Sequence, residues 1–141
     1  MYCFDVPDPK VDRLSRVPLF RGLGKGELQF LASRVDEVSL APGQTVIREG
    51  QATGAFFIIV SGHVQVTRKE KPAARLGPGD FFGEIGMLDN GPATATVVAE
   101  DAGEALVLSH EQFRDAIKGN DKLAIQVIAA MAERLRANAL A

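Results

Sequence analysis

The pattern of apolar and polar residues divides the chain into a helical beginning, a β-rich middle and a helical end. From residue 11 to 34 apolar residues recur at helical spacing, with a break around Gly22. From 35 to 109 short apolar or alternating runs are separated by turn residues, which is typical of a sandwich or barrel. Helical spacing returns over 110–138. We therefore predict one mainly β domain with helices on both sides, preceded by a poorly ordered arm over residues 1–10.

Several strands and turns of the middle segment can be placed individually. Residues 55–60 are apolar throughout, as expected of a strand that is buried on both faces. Ser61 and Gly62 then predict a two-residue turn of hairpin type. An alternating strand follows over residues 63–69, and the charged run over residues 68–71 is interpreted as the solvated tip of a hairpin.

The last segment carries signals for two helices. Ser109 is a good N-cap, and Gln112, three residues later, is its expected capping-box partner. A second helix is predicted over residues 121–138, and its apolar residues form a stripe that favours packing against a core. The members of this stripe are Leu123, Val127, Ile128, Met131 and Leu135.

Composition narrows the class of protein. The chain has 141 residues, of which 46% are hydrophobic, enough to bury a core without disulfides or metals. A net charge of −2 does not favour nucleic acid as a partner, and no apolar run is long enough to span a membrane. The single cysteine cannot form an internal disulfide, and no secretion signal opens the chain. We expect a cytoplasmic protein.

Catalytic and metal-binding patterns find little support in the sequence. No serine, cysteine or paired-carboxylate arrangement indicates an enzyme, so we expect a non-catalytic protein without a cofactor. Cys3, His63 and His110 lack the spacing of metal ligands, and His63 alone does not supply the clustered histidines of a cupin-type site. We interpret these residues as surface or partly packed side chains.

The segment over residues 80–97 bears most directly on function, because its residue types suit the capture of a small phosphate. Gly83 lets the backbone approach a ligand without an intervening side chain. The amides of Ile85 and Gly86, at the start of a helical turn predicted over residues 84–88, favour an anion. Glu84 is a carboxylate placed to accept hydrogen bonds from sugar hydroxyls.

This segment resembles the phosphate-binding cassette of cyclic nucleotide-binding domains. That family's pattern runs Phe-Gly-Glu, an aliphatic residue, a small residue and two apolar residues, then after a gap Pro-Arg-Thr/Ser/Ala-Ala-Thr. The matching residues are Phe82, Gly83, Glu84, Ile85, Gly86, Met87, Leu88, Pro92, Thr94, Ala95 and Thr96. Ala93 differs, since the family carries there the arginine that pairs with the cyclic phosphate.

The resemblance implies a jelly-roll β-barrel and a regulatory domain that binds cAMP or cGMP. Glu84 would accept from the ribose 2′-hydroxyl, and Thr94 would donate to the phosphate from the opposite wall. Barrel side chains would cover the purine base of the nucleotide, together with the last helix acting as a hinged lid. The implied ligand-binding positions are Phe82, Gly83, Glu84, Ile85, Gly86, Ala93, Thr94, Ala95, Arg48, Val64, Met131 and Leu135.

The missing arginine leaves three interpretations open. Arg48, Arg75 or Arg134 could reach the phosphate from another wall, with Arg48 as the first candidate. The ligand could be a different small molecule. The pocket could also be degenerate and serve as a protein-interaction module with an unidentified effector. Relatives that pair through the last helix also suggest a homodimer whose seam contains Met131 and Leu135.

Overall fold

Two four-stranded antiparallel sheets make up the β-rich middle of the chain. The first contains, in spatial order, β1 (Asp36–Leu40), β8 (Gly103–Ser109), β3 (Ala55–Ser61) and β6 (Phe81–Phe82). The second contains β2 (Thr45–Ile47), β7 (Thr96–Ala99), β4 (Val64–Arg68) and β5 (Lys71–Leu76). Every strand pair is antiparallel, and the chain changes sheet from each strand to the next except between β4 and β5, in the manner of a jelly roll. The predicted fold class is confirmed.

The computed structural model describes residues 9–17, 20, 22–52, 54–118 and 120–140. Residues 34–115 form one compact unit that contains both sheets, and the flanking segments form a second, helical unit. Most of the predicted N-terminal arm lies outside the described residues. None of the helices in the described part of the chain combines the length and apolar character needed to cross a membrane.

The turn at Ser61 and Gly62 is present, but the prediction that it closes a hairpin is wrong. β3 pairs with β8 and β6, whereas β4 pairs with β5 and β7, so the chain passes here from one sheet to the other. Gly62 has φ +86° and packs against the turn that precedes β8, where a Cβ atom would lie 3.0 Å from the carbonyl oxygen of Ala102. Turn residues predict a change in chain direction, but the packing of the whole barrel decides which strands pair with each other.

The charged hairpin tip is confirmed. Arg68 pairs with Lys71, and the two residues between them, Lys69 and Glu70, both have positive φ. Such a two-residue turn matches the right-handed twist of the strands that it joins. The amide of Lys69 donates to the Glu49 carboxylate at 3.0 Å, which adds a polar link to the loop after β2.

The core of the barrel lies between the two sheets. Phe57 and Phe82 stack inside it with ring centroids 5.0 Å apart. β3 buries residues of both alternations, which confirms the prediction for this strand. Burial of each such side chain stabilises the fold by roughly 1.5–3 kcal/mol. The buried members of this core cluster are Leu40, Ile47, Ile59, Val64, Phe82, Val97, Ala99 and Ala105.

Within the described residues, five helices accompany the strands. They are α1 (Pro9–Ser15), α2 (Lys25–Ala32), α3 (Glu84–Asp89), α4 (His110–Ile117) and α5 (Asp121–Leu140). The predicted capping box is confirmed at the start of α4. The Ser109 amide donates to Gln112 Oε1 at 2.8 Å, and the Gln112 amide donates to Ser109 Oγ at 3.1 Å.

The apolar stripe predicted for α5 is divided in the structure. Leu123 and Val127 are buried, but Ile128 is 67% exposed and Ile125 is 65% exposed. Ile128 follows Val127 directly, so it lies about 100° further around the helix and points elsewhere. The prediction was therefore wrong to include Ile128 among the residues of α5 that pack against a core.

Candidate functional site

The site begins at Gly83, between β6 and α3. Gly83 is the N-cap of α3 with φ 85° and ψ 8°, a left-handed conformation. A Cβ atom at this position would lie 2.3 Å from the carbonyl oxygen of Ala55, so a side chain is excluded by both dihedral and space. The next element, α3, spans Glu84–Asp89 and so extends one residue beyond the helical turn predicted over residues 84–88.

The first turn of α3 presents free amides. The amide of Met87 donates to the Gly83 carbonyl at 3.1 Å and closes the first helical turn. The amides of Ile85 and Gly86 precede that bond and have no acceptor among the described residues. Gly86 is buried, while the side chain of Ile85 is 40% exposed. This turn can therefore receive an anion beside an accessible apolar side chain.

Ala93 occupies the position of the family's arginine and is held in a short antiparallel ladder. Its amide donates to the Gln51 carbonyl at 2.9 Å, and its carbonyl accepts from the Gly50 amide at 2.9 Å. The methyl group of Ala93 is half-buried and packs against the core cluster that contains Phe82. Because Phe82 directly precedes Gly83, the structure brings this position and the cassette turn to the same core.

The residues after Ala93 divide between the surface and the barrel. The side chain of Thr94 is exposed, whereas Ala95 is buried. The Thr96 hydroxyl accepts the Glu49 amide at 3.0 Å, so it fixes the loop after β2. Thr94 is therefore the hydroxyl of this segment that remains accessible.

The three arginines considered as substitutes differ in their surroundings. The Arg48 side chain is exposed and makes no hydrogen bond or ion pair with the described residues. The backbone carbonyl of Arg48 accepts the Gln51 amide at 3.1 Å, which places the residue in the turn that pairs with Ala93. Arg75 donates through Nε to Glu100 at 2.9 Å and is engaged there. Nothing is described of the Arg134 side chain.

The remaining predicted site residues belong to the core between the sheets or to α5. Val64 is fully buried in the core between the sheets. Met131 is half-buried on α5, and Leu135 belongs to the same helix, within the helical unit. Side-chain placement is described for neither Leu135 nor Glu84, so their roles stay predictions.

Two groups that contact the cassette were not identified from the sequence. The start of β3 supplies the Ala55 carbonyl against which Gly83 packs. His110, interpreted as a surface or partly packed side chain, bonds through Nδ1 to the Met87 carbonyl at the other end of α3. The Ser109 cap indicated that His110 begins a helix. Nothing in the sequence indicated that this helix, α4, starts beside α3.

The sequence model of the cyclic nucleotide-binding domain family matches residues 37–120. The chain belongs to this family. The matched segment includes both sheets apart from the first residue of β1, together with α3 and α4.

Individual relatives agree with the family assignment. A cAMP-dependent protein kinase regulatory subunit of Yarrowia lipolytica is 35% identical over 117 residues, which is 77% of this chain and 31% of the relative. A cyclic AMP receptor protein of Thermus thermophilus is 32% identical over 124 residues, which is 84% of this chain and 57% of the relative. The chain thus spans about a third to a little over half of these curated relatives.

A solved structure supports the same fold. The crystal structure of the Thermus thermophilus catabolite activator protein is similar with a TM-score of 0.80 at 32% identity. The match covers 87% of this chain and 60% of that one. The jelly roll with its cassette helix is therefore the family architecture.

Proposed function

We propose that this cyclic nucleotide-binding domain is a non-catalytic regulatory module that binds cAMP or cGMP with weakened affinity. The observation that carries the proposal is the cassette turn. Left-handed Gly83 packs against the Ala55 carbonyl, and the amides of Ile85 and Gly86 remain without an acceptor among the described residues. The names of the relatives, a cAMP-dependent kinase subunit and a cyclic AMP receptor, support the ligand class.

The chemistry of a cyclic nucleotide fits these groups. Its phosphodiester carries one negative charge, which the free amides and the positive end of α3 stabilise. The exposed Thr94 hydroxyl is available to donate a further hydrogen bond. Glu84 begins α3 and is assigned the ribose 2′-hydroxyl. The exposed part of Ile85 supplies apolar contact to the ligand.

Ala93 is the reason for the weakened affinity. An arginine binds phosphate through two parallel charge-assisted bonds, and hydrogen bonds to charged groups contribute about 1.5–3 kcal/mol each. Loss of this pair lowers affinity by roughly a hundredfold to ten-thousandfold. Arg48 is the better placed substitute, since Arg75 is engaged with Glu100 while the Arg48 guanidinium has no partner among the described residues.

Calorimetric titration of cAMP and cGMP tests the proposal. Ala93→Arg is expected to tighten binding by at least about tenfold, the scale of one charge-assisted bond. Ala93→Gln is the matched control, because it adds a long polar side chain without the charge. A folded Ala93→Arg protein that binds neither nucleotide at millimolar concentration would refute nucleotide binding, and a degenerate pocket serving as a protein-interaction module would replace it.

We also propose that a second copy of this chain pairs through α5. Ile125, Ile128, Ala132 and Leu135 follow one another at intervals of three, four and three residues, which is the spacing of a coiled-coil seam. Ile125 and Ile128 are 65% and 67% exposed, and α5 has 20 residues, so an uncovered apolar face exists. Of the two seam residues predicted from the sequence, Leu135 belongs to this seam, whereas Met131 lies beside it, one residue before Ala132.

Sedimentation of the wild type beside Leu135→Glu and Ile128→Glu tests this pairing. Both substitutions place a charge in the proposed seam, so the mass is expected to fall from dimer to monomer. Glu133→Gln, a change on the same helix outside the seam, is the control. A wild-type protein that sediments as a monomer at high concentration would refute the proposed pairing.

A further inference from the structure

Helix α3 is too short to maintain its orientation by itself. It has six residues, whereas isolated helices below about 12–15 residues are marginal in water. The direction in which its first amides point therefore depends on contacts at its two ends. The N-terminal contact is the packing of Gly83 against Ala55. The C-terminal end has a contact of a different kind.

The carbonyl of Met87, in the last turn of α3, has no helical donor. The amide four residues further on, that of Gly91, donates instead to Asp89 Oδ1 at 2.8 Å. His110 Nδ1 supplies the missing partner by bonding to the Met87 carbonyl oxygen. Since a carbonyl only accepts hydrogen bonds, Nδ1 must carry the proton in this contact.

His110 is itself fixed by its position in the fold. As the first residue of α4 it has a backbone amide that the helix does not use, and this amide donates to the Gly54 carbonyl at 2.6 Å. Gly54 is buried with φ +56°, and a Cβ atom there would lie 2.7 Å from Asn90 Oδ1. Asn90 is the C-cap of α3. The end of α3, the start of β3 and the start of α4 thus meet at one point.

We propose that His110 is a positioning residue for the nucleotide site. By binding the Met87 carbonyl it holds the C-terminal end of α3, so that the amides of Ile85 and Gly86 stay directed at the ligand. The histidine does not contact the ligand itself. This assignment rests on the proposed function, but the contact between His110 and α3 can be measured without a ligand.

The first experiment uses no nucleotide. Nitrogen-15 spectra of the wild type are expected to show a proton on Nδ1 of His110, and an unprotonated Nδ1 would overturn the proposal. His110→Leu removes the donor, whereas His110→Asn places an amide nitrogen where Nδ1 was. Gln112→Leu is the control, because it removes a cap bond from the same helix and leaves His110 in place.

Hydrogen exchange of the Met87 and Asn90 amides then reports on α3, since these amides donate to Gly83 and Gly86. His110→Leu should accelerate their exchange by about threefold to tenfold, the scale of one hydrogen bond. His110→Asn should restore the wild-type rates, and Gln112→Leu should leave them unchanged. Equal acceleration in His110→Leu and Gln112→Leu, or none in either, would show that His110 does not hold α3.

The second experiment measures affinity in the Ala93→Arg background, where binding is expected to be strongest. His110→Leu should weaken cAMP or cGMP binding by about threefold to tenfold, and His110→Asn should recover it. Unchanged affinity in the leucine variant beside faster exchange would overturn the positioning role. If no variant binds nucleotide, the proposed function fails, and the exchange rates alone decide whether His110 holds α3.

Discussion

The two ends of strand β3 are held by similar contacts, yet they leave different groups available. At its start, Gly83 packs against the Ala55 carbonyl, and His110 bonds to the end of α3. At its end, a Cβ atom at Gly103 would lie 2.1 Å from the Ser61 carbonyl oxygen, and His63 bonds to Asp101. Each end therefore combines a glycine in close backbone contact with a histidine that fixes a neighbouring segment.

The difference lies in the polar partners. At the Ser61 end the His63 amide donates to Asp101 Oδ1 at 2.6 Å, and the Glu104 amide donates to Ser61 Oγ at 3.1 Å. Glu100 accepts from Arg75 at 2.9 Å and donates its amide to the His63 carbonyl at 2.9 Å. At this end of β3, the amides of His63, Glu104 and Glu100 therefore all have acceptors within the protein.

At the Ala55 end the close contact instead positions a helix whose first amides have no acceptor within the described residues. A glycine in close backbone contact thus occurs at both ends of β3, and at the Ala55 end it adjoins amides without an acceptor among the described residues. These amides, and not the close contact by itself, are the reason for proposing an anion site at the Ala55 end.

The largest expected effect is that of Gly83→Ala. A left-handed alanine costs about 1–2 kcal/mol, and the forced contact with the Ala55 carbonyl adds about 1–3 kcal/mol. We expect a free energy of unfolding lower by about 2–5 kcal/mol and loss of nucleotide binding in the Ala93→Arg background. Denaturant titration and calorimetry measure the two effects.

Gly79→Ala is the control for the dihedral cost. Gly79 has φ +89°, and no atom lies within 4 Å of the Cβ position, so only the conformational cost of about 1–2 kcal/mol should appear. Equal losses of stability in the two variants would mean that the contact between Gly83 and Ala55 contributes nothing beyond its dihedral angle.

The next largest effect is expected for Gly103→Ala, at the other end of β3. Its close contact with the Ser61 carbonyl predicts a loss of about 1–3 kcal/mol in the free energy of unfolding. Nucleotide affinity of the folded protein should stay unchanged, because this end supplies no group to the ligand. Calorimetry on the folded Gly103→Ala protein measures this affinity. A loss of nucleotide affinity would contradict the claim that only the Ala55 end of β3 contributes to the ligand site.

A smaller, stabilising effect is expected at the β4–β5 hairpin tip. Glu70 has φ +66°, which glycine adopts without a steric penalty. Glu70→Gly should raise the free energy of unfolding by a few tenths to about 1 kcal/mol. Thermal unfolding beside Glu104→Gly, a glycine introduced within β8, provides the comparison, since the second change should destabilise. A lower melting temperature for Glu70→Gly would contradict the steric account.

The smallest effect concerns acid. Hydrogen bonds from the His63 side chain and amide lower the pKa of Asp101 below its ordinary range. A carboxyl with a lowered pKa contributes stability above the ordinary aspartate range, and this contribution disappears as pH falls through the folded-state value. The melting-temperature difference between wild type and Asp101→Ala should therefore shrink on acidification. A difference that is constant from neutral to strongly acidic pH would exclude this linkage.

Much of the fold could be predicted locally. Residues 55–60 were placed as a doubly buried strand, Ser109 with Gln112 as a capping box, and residues 84–88 as a helical turn, and the structure confirms all three. Each depends on neighbours within a few positions, such as a run of apolar residues or a cap and its partner. The turn at Gly62 failed because its two flanking strands pair in different sheets.

The family could be assigned from the sequence alone, and so could the presence of Ala93 where the family's pattern carries an arginine. The contacts that hold the cassette became visible only in the folded chain. Ala55 and His110 lie far from Gly83 in the chain and contact α3 because β3 and β8 are antiparallel neighbours, which places the start of one beside the end of the other. Such contacts leave no local pattern, since they depend on strand order and register, which arise from packing of the whole barrel.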